Sequence, residues 1–133
     1  MKEAKAMFLC CSLFSLTNLR TEERPWGSYE ILHEHEDYKI KRIVVKPGQR
    51  LSLQRHTKRA EHWIIIQGSG IATLNDERIP VTKGSTIHVQ LHDIHRIENT
   101  GDQELVFVEV QTGTYFGEDD IERLQDDYGR IEK

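Results

Sequence analysis

The chain has 133 residues, of which 37% are hydrophobic and 30% are charged, and its formal net charge is −4 at pH 7. These values are typical of one soluble globular domain and argue against a disordered chain or a membrane protein. The acidic balance provides no overall positive field that would attract nucleic acid, so we expect neither nucleic acid nor a membrane as a partner.

The N-terminal segment is apolar from Ala6 to Leu16. It is too short to span a membrane, and Glu3 in the basic region argues against a signal peptide. We expect residues 1–22 to form an extension that packs on the barrel predicted below or on the partner of a homodimer. Cys10 and Cys11 are adjacent, so they cannot link distant parts of a fold and favour a reduced, cytoplasmic protein.

Residues 23–133 read as one domain of short strands separated by Gly, Pro, Asn and Asp turns. The predicted strands are Tyr29 to Leu32, Lys39 to Val45, Leu51 to Arg55, Glu61 to Gln67, Gly70 to Leu74, Glu77 to Val81, Ser85 to Val89, His95 to Asn99 and Leu105 to Gln111. This pattern favours an all-β sandwich or closed barrel. The acidic start of Gly117 to Leu124 predicts a short C-terminal helix.

Four polar side chains in this pattern form a candidate metal site. Gln54 and His56 are two residues apart on a strand, so both point to one face. Glu61 begins the next strand and His95 begins a later one, and both can face the same interior. Two imidazoles, a carboxylate and an amide oxygen are plausible ligands for a divalent ion, whereas the absence of nearby cysteines argues against an iron–sulfur or cysteine–zinc site.

The spacing of these residues resembles the two motifs of the cupin family, whose fold is a double-stranded β-helix, or jelly-roll barrel. The first motif reads Gly48-x5-Gln54-x-His56-x4-Glu61-x6-Gly68, and the second reads Gly84-x10-His95-x3-Asn99. Gln54 stands where many cupins have their first histidine.

Further segments resemble type II mannose-6-phosphate isomerases. They are Arg24-Pro-Trp-Gly-Ser-Tyr-Glu30, Tyr38-Lys-Ile-Lys-Arg-Ile43, Arg59-Ala-Glu-His-Trp63, Gly117-Glu-Asp-Asp-Ile121 and Asp126-Asp-Tyr-Gly-Arg130. In that family the domain is commonly the C-terminal half of a bifunctional enzyme whose other half is a mannose-1-phosphate guanylyltransferase. The resemblance implies a homodimer that interconverts mannose 6-phosphate and fructose 6-phosphate for GDP-mannose and polysaccharide synthesis.

The resemblance also implies roles for individual residues. The metal, with zinc favoured, would be held by Gln54, His56, Glu61 and His95. The sugar phosphate would need Arg or Lys at the mouth of the barrel, and Arg59 and Arg130 are the candidates. The chemistry also needs a base, for which His62, His88, Lys41 and Glu109 all stay open.

Two departures from the family pattern bear on activity. Thr57 and Lys58 stand where the family is usually rich in histidine, and Gln90-Leu-His92 replaces a Pro-x-Gly turn, so His92 must adopt the glycine geometry or change the loop. The alternatives are therefore a non-catalytic metal-containing cupin that binds a sugar phosphate, and a different cupin enzyme. Arg59 could also serve simply as an ion-pair partner of Glu61.

Overall fold

The computed structural model describes residues 20–131, which form eleven strands and contain no helix. The strands are β1 (Arg20–Arg24), β2 (Gly27–Glu34), β3 (Tyr38–Val45), β4 (Leu53–Arg55), β5 (Arg59–Gln67), β6 (Ser69–Leu74), β7 (Glu77–Thr82), β8 (Thr86–Val89), β9 (His95–Asn99), β10 (Leu105–Gly113) and β11 (Glu122–Gln125). Within this range no helix could cross a membrane.

Two antiparallel sheets face each other across one core. The first has the order β1-β2-β3-β10-β5-β8, and the second has the order β11-β4-β9-β6-β7. Alternate residues of the central strands point inward, and large side chains such as Trp63, Ile65, Ile97 and Phe107 fill the space between the sheets. This arrangement agrees with the predicted all-β barrel.

All nine predicted strands are present, with ends shifted by a few residues at most. The predicted C-terminal helix from Gly117 to Leu124 is wrong. Its first half is a turn in which the Asp120 amide donates to the Gly117 carbonyl, 3.2 Å away, and its second half belongs to β11, which pairs with β4. The carboxylates of Glu118 and Asp120 instead accept hydrogen bonds from Lys41 and Thr57, which lie in distant parts of the chain.

The predicted N-terminal extension lies almost entirely outside the described residues. Its last residues, 20–22, belong to β1, an exposed edge strand paired with β2 in the six-stranded sheet.

Two turns show how the backbone accommodates the site. His92 adopts a φ of 71°, so it takes the left-handed geometry usual for glycine, and its amide donates to the His56 carbonyl, 2.8 Å away. Gly113 has a φ of 147°, and a Cβ there would lie 2.2 Å from the Lys58 carbonyl oxygen. Only glycine allows this close approach between β10 and the start of β5.

Candidate metal centre

Three of the four predicted ligands converge between the sheets. His56, Glu61 and His95 are each 2% exposed, and their ligating atoms lie within 4.8 Å of one another. His56 follows β4, Glu61 lies on β5 of the opposite sheet, and His95 begins β9. The two histidines therefore face the carboxylate across the interior of the barrel.

The hydrogen bonds of the two histidines prepare them as metal ligands. Nδ1 of His56 lies 2.6 Å from the Asp120 carbonyl oxygen, and Nδ1 of His95 lies 2.8 Å from the Asp93 carbonyl oxygen. A carbonyl can only accept, so each Nδ1 carries the proton and each Nε2 keeps its lone pair. These Nε2 atoms face Glu61, at 3.3 Å for His56 and 3.7 Å for His95. A carbonyl that fixes the tautomer of a ligating histidine is the usual outer-shell arrangement of a metal site.

Charge states at the centre suit a divalent cation. Burial raises the pKa of the Glu61 carboxyl, but the neighbouring His56, His95 and Arg59 side chains outweigh burial and hold that pKa well below its usual value. Burial lowers the pKa of His95. A carboxylate and a neutral imidazole are the protonation states that metal ligation requires.

Gln54 lies beside this cluster on the neighbouring strand. It is buried, lines the same cavity, and is the register partner of His95 between β4 and β9. Its Nε2 atom donates to the Ser52 carbonyl oxygen at 3.5 Å, a weak contact, so the amide oxygen is the atom that it could offer to a metal. The donor set of two nitrogens and two oxygens, without sulfur, fits a borderline divalent ion such as zinc.

Arg59 and Trp63 surround the Glu61 carboxylate. Arg59 Nε donates to Glu61 Oε1 at 3.1 Å, Arg59 Nη2 lies 3.2 Å from His56 Nε2, and Trp63 Nε1 donates to Glu61 Oε2 at 2.9 Å. Arg59 is buried, so its charge offsets that of Glu61 inside the barrel. It is thus an ion-pair partner of the predicted ligand Glu61.

Asp120, which the sequence did not single out, links the C-terminal segment to the centre. Its carboxylate accepts from Thr57 Oγ1 at 2.8 Å, from the Thr57 amide at 3.2 Å and from the Lys58 amide at 2.9 Å. The carbonyl of the same residue holds His56. Thr57 and Lys58, which depart from the family pattern, therefore anchor the residue that orients a predicted ligand.

A cavity of about 60 Å³ opens beside the centre. Its wall carries six cationic and three carboxylate side chains, although the whole chain has a net charge of −4. The cationic residues are Arg24, Lys41, Arg59, Arg96, Arg123 and Arg130, and the carboxylates are Glu61, Glu109 and Glu118. Lys41 Nζ and Glu118 Oε1 form an ion pair of 2.6 Å across it. This excess of positive charge favours an anionic ligand.

The four candidate bases lie in two different places. Lys41 and Glu109 line the cavity and are register partners on β3 and β10. His62 and His88 are exposed on the outer face of the sheet, where their rings stack with centroids 3.9 Å apart. Burial and the nearby Glu61 charge raise the pKa of Glu109 to about 8, against the weaker effects of Lys41 and Arg59. Glu109 thus has the pKa near neutrality that suits proton transfer.

The two phosphate candidates also differ in their surroundings. Arg59 is engaged with Glu61 and His56, whereas Arg130 lines the cavity and forms a bidentate pair with Asp126 at 2.9 and 2.7 Å. Sequence reasoning did not single out Arg123, which also lines this wall. Its position could be seen only once β11 was paired with β4.

Comparison with known proteins places this architecture in a family. The family described as "Mannose-6-phosphate isomerase C-terminal" matches residues 15–126. The alginate biosynthesis protein AlgA of Pseudomonas aeruginosa is 47% identical over 107 residues, which cover 80% of this chain and 22% of that protein. The mannose-1-phosphate guanylyltransferase ManC of Salmonella typhimurium is 43% identical over 108 residues, which cover 81% of this chain and 22% of that protein. The chain therefore spans about a fifth of the length of these relatives.

A solved structure supports the fold. An uncharacterised protein with a double-stranded β-helix domain from Klebsiella pneumoniae superposes with a TM-score of 0.64 at 18% identity, covering 72% of this chain and 77% of the other. The match to the family extends over all eleven strands of the described residues. This chain belongs to the mannose-6-phosphate isomerase C-terminal family and has its cupin, double-stranded β-helix fold.

Proposed function

We propose that this domain is a metal-dependent isomerase that interconverts mannose 6-phosphate and fructose 6-phosphate. The observation that carries the proposal is the buried cluster of His56, Glu61 and His95 beside a cavity with a cationic wall. The cluster fits a divalent metal, and the wall fits an anionic sugar. Membership of the family supports this choice among the reactions that a cupin barrel could catalyse.

The residues around the cavity have different roles in this proposal. His56, Glu61, His95 and Gln54 would hold zinc, which when bound supplies a Lewis acid for the oxygens of the sugar. Glu109 lies on the β10 wall and carries the proton between the two adjacent carbons, because it is a buried carboxyl that lines the cavity beside the metal centre. Arg59 keeps Glu61 ionised and oriented.

The role assigned to Glu109 is supported by its neighbours. It is 5% exposed, and the Gln111 Nε2 atom donates to Glu109 Oε1 at 2.6 Å, so the side chain is held in one orientation. Lys41, the other candidate inside the cavity, is engaged with Glu118 and lies over the Tyr29 ring at 4.1 Å. We therefore prefer Glu109 as the base.

A coupled assay for fructose 6-phosphate formation tests the proposal. Purified protein is supplied with mannose 6-phosphate before and after metal removal, and again after zinc is restored. We expect turnover that is lost with the metal and recovered with it. His95→Ala should abolish activity, whereas His88→Ala, on the outer face, should leave activity unchanged. Absence of turnover in the fully metal-loaded protein would refute the isomerase.

A second candidate is a binding module that holds a sugar phosphate without turning it over. The departures from the family pattern at Thr57, Lys58 and His92 favour this alternative, because Thr57 and Lys58 directly follow the predicted ligand His56 and the His92 amide donates to the His56 carbonyl. Either function requires the Lys41–Glu118 pair to separate, because a sugar phosphate is larger than the cavity of about 60 Å³. Binding of mannose 6-phosphate without turnover would support the binding module.

A further inference from the structure

Arg123 is a cation of the cavity wall without a negative partner. Among residues 20–131 no carboxylate forms an ion pair with it, and its Nε atom is buried without a hydrogen-bond partner. By contrast, Lys41 contacts Glu118, Arg59 contacts Glu61 and Arg130 contacts Asp126. A buried guanidinium nitrogen without a partner costs free energy unless a ligand supplies an acceptor.

The register of β11 places Arg123 in line with the metal centre. Arg123 is the Cα partner of Gln54, and Gln54 is the Cα partner of His95. Partners in an antiparallel sheet point to the same face, so the three side chains form a row across the interior. Adjacent strands lie about 4.8 Å apart, so Arg123 begins roughly 10 Å from His95 along this row.

Neighbouring cations strengthen the case for an anion at Arg123. Burial and the charge of Arg130 lower its pKa, with a smaller contribution from Arg24, against the opposing effects of Asp126 and Glu118. Arg24, Arg123 and Arg130 all line this cavity. A dianionic group would offset the positive charge of these residues and accept hydrogen bonds from the planar guanidinium group of Arg123.

Arg96 is the other arginine outside the metal centre with an unpartnered buried nitrogen, but it has a different role. Its Nε donates to the Leu51 carbonyl at 3.1 Å and its Nη1 donates to Gln125 Oε1 at 3.2 Å. It also lines the cavity, but two of its guanidinium nitrogens already have acceptors in the protein. Arg96 therefore ties β9 to the C-terminal segment.

We propose that Arg123 is the phosphate anchor of this cavity and that it binds the phosphate monoester of the sugar, with Arg24 and Arg130 beside it. The inference rests on the proposed function and adds the orientation of the bound sugar phosphate. The phosphate lies at the β11 end, so the reacting carbons at the other end of the hexose lie towards His95. Arg59 Nη1 is also buried without a hydrogen-bond partner, but its Nε and Nη2 contact Glu61 and His56, so Arg59 lies at the metal end of the cavity rather than at the β11 end.

Binding of mannose 6-phosphate, measured by isothermal titration calorimetry on the zinc-loaded protein, tests this inference. Arg123→Ala should weaken binding by about ten- to a hundred-fold, the usual loss for charge-assisted contacts. Arg123→Lys keeps the positive charge but not the planar guanidinium group, so it should show a smaller loss of mannose 6-phosphate affinity. Arg55→Ala is the matched control, because Arg55 pairs with Glu122 on the exposed side of the same two strands.

The outcomes separate the anchor from the isomerase. If Arg123→Ala binds mannose 6-phosphate as tightly as the wild type, the anchor is refuted while turnover still decides the isomerase. If the wild type binds but does not turn over, the isomerase fails and the binding loss still supports the anchor. Where the wild type is active, Arg123→Lys should raise KM more than it lowers kcat, because the phosphate contact is present in both ground and transition states. Should Arg123→Ala fail to fold, an Arg123→Lys protein with wild-type affinity would equally refute the anchor.

Discussion

Asp120→Ala should weaken metal binding without touching any predicted ligand side chain. The carboxylate of Asp120 accepts three hydrogen bonds from Thr57 and Lys58, and its carbonyl orients His56 at 2.6 Å. Removing the carboxylate frees the segment that carries this carbonyl. The imidazole of His56 then loses the partner that fixes its tautomer.

The size of the effect follows from these contacts. A hydrogen bond to a charged group contributes about 1.5–3 kcal/mol when it is protected from water. Asp120 is only half-buried, so we expect a total loss of about 1–2 kcal/mol in the free energy of unfolding. Loss of an outer-shell partner commonly weakens metal affinity by about 10–100-fold, and we expect the lower end because the carbonyl itself is retained.

Competition with a chelator measures zinc affinity, and thermal unfolding of the metal-free protein measures stability. Asp119→Ala is the matched control, because that neighbouring carboxylate accepts from the Tyr115 hydroxyl and contacts no predicted ligand. Unchanged zinc affinity in Asp120→Ala, or an equal loss in Asp119→Ala, would refute the proposed link between the C-terminal segment and His56.

Three further predictions concern other parts of the barrel. In the metal-free protein, Glu109 stays protonated in the folded state between its ordinary pKa of 4.5 and about 8, whereas the unfolded chain has lost that proton. The contribution of Glu109 to stability should therefore fall as pH rises through this range, by at most about 1.4 kcal/mol per pH unit. Because the lowered pKa of His95 opposes this trend below pH 6.5, the test compares the wild type with Glu109→Gln in denaturant titrations, and an identical slope in the two proteins would contradict the shifted pKa. Asn99→Ala should cost about 2–4 kcal/mol in unfolding free energy, because the buried amide donates to the Val45 and Gln103 carbonyls and accepts from the Gly101 amide; zinc affinity should not change, and a selective loss of metal would argue against this structural role. Glu118→Gln should weaken the contact between Lys41 and residue 118, and mannose 6-phosphate should then associate faster in stopped-flow experiments. An unchanged association rate would show that the Lys41–Glu118 ion pair does not control entry of the sugar into the cavity.

The sequence predicted the central strands because their inward residues alternate with outward ones and their turns contain glycine, proline or asparagine. It missed β1, whose residues Arg20–Arg24 are entirely polar or charged and are held by backbone pairing with β2. It also mistook β11 for a helix. An acidic start resembles a helix N-terminus in isolation, but here the Asp120 carboxylate accepts from amides of Thr57 and Lys58 rather than from its own segment.

The same holds for the candidate site: residues that belong to a local motif were predicted, and residues that act through distant partners were not. The motif spacing identified His56, Glu61 and His95, which the structure brings together. The roles of Asp120 and Arg123 were not predicted, because each acts through a partner more than sixty residues away and no local pattern reports such pairing. The homodimer and the packing of residues 1–22 stay predictions that light scattering on the full chain and on a truncated chain can test.

Metal titration of isomerase activity tests the central claim most directly. Metal-free protein is given increasing zinc while fructose 6-phosphate formation from mannose 6-phosphate is followed. We predict that activity rises linearly and stops rising at one zinc per chain, and that His95→Ala stays inactive throughout. Activity in the metal-free protein, or a fully loaded protein that remains inactive, would contradict a metal-dependent isomerase built on His56, Glu61 and His95.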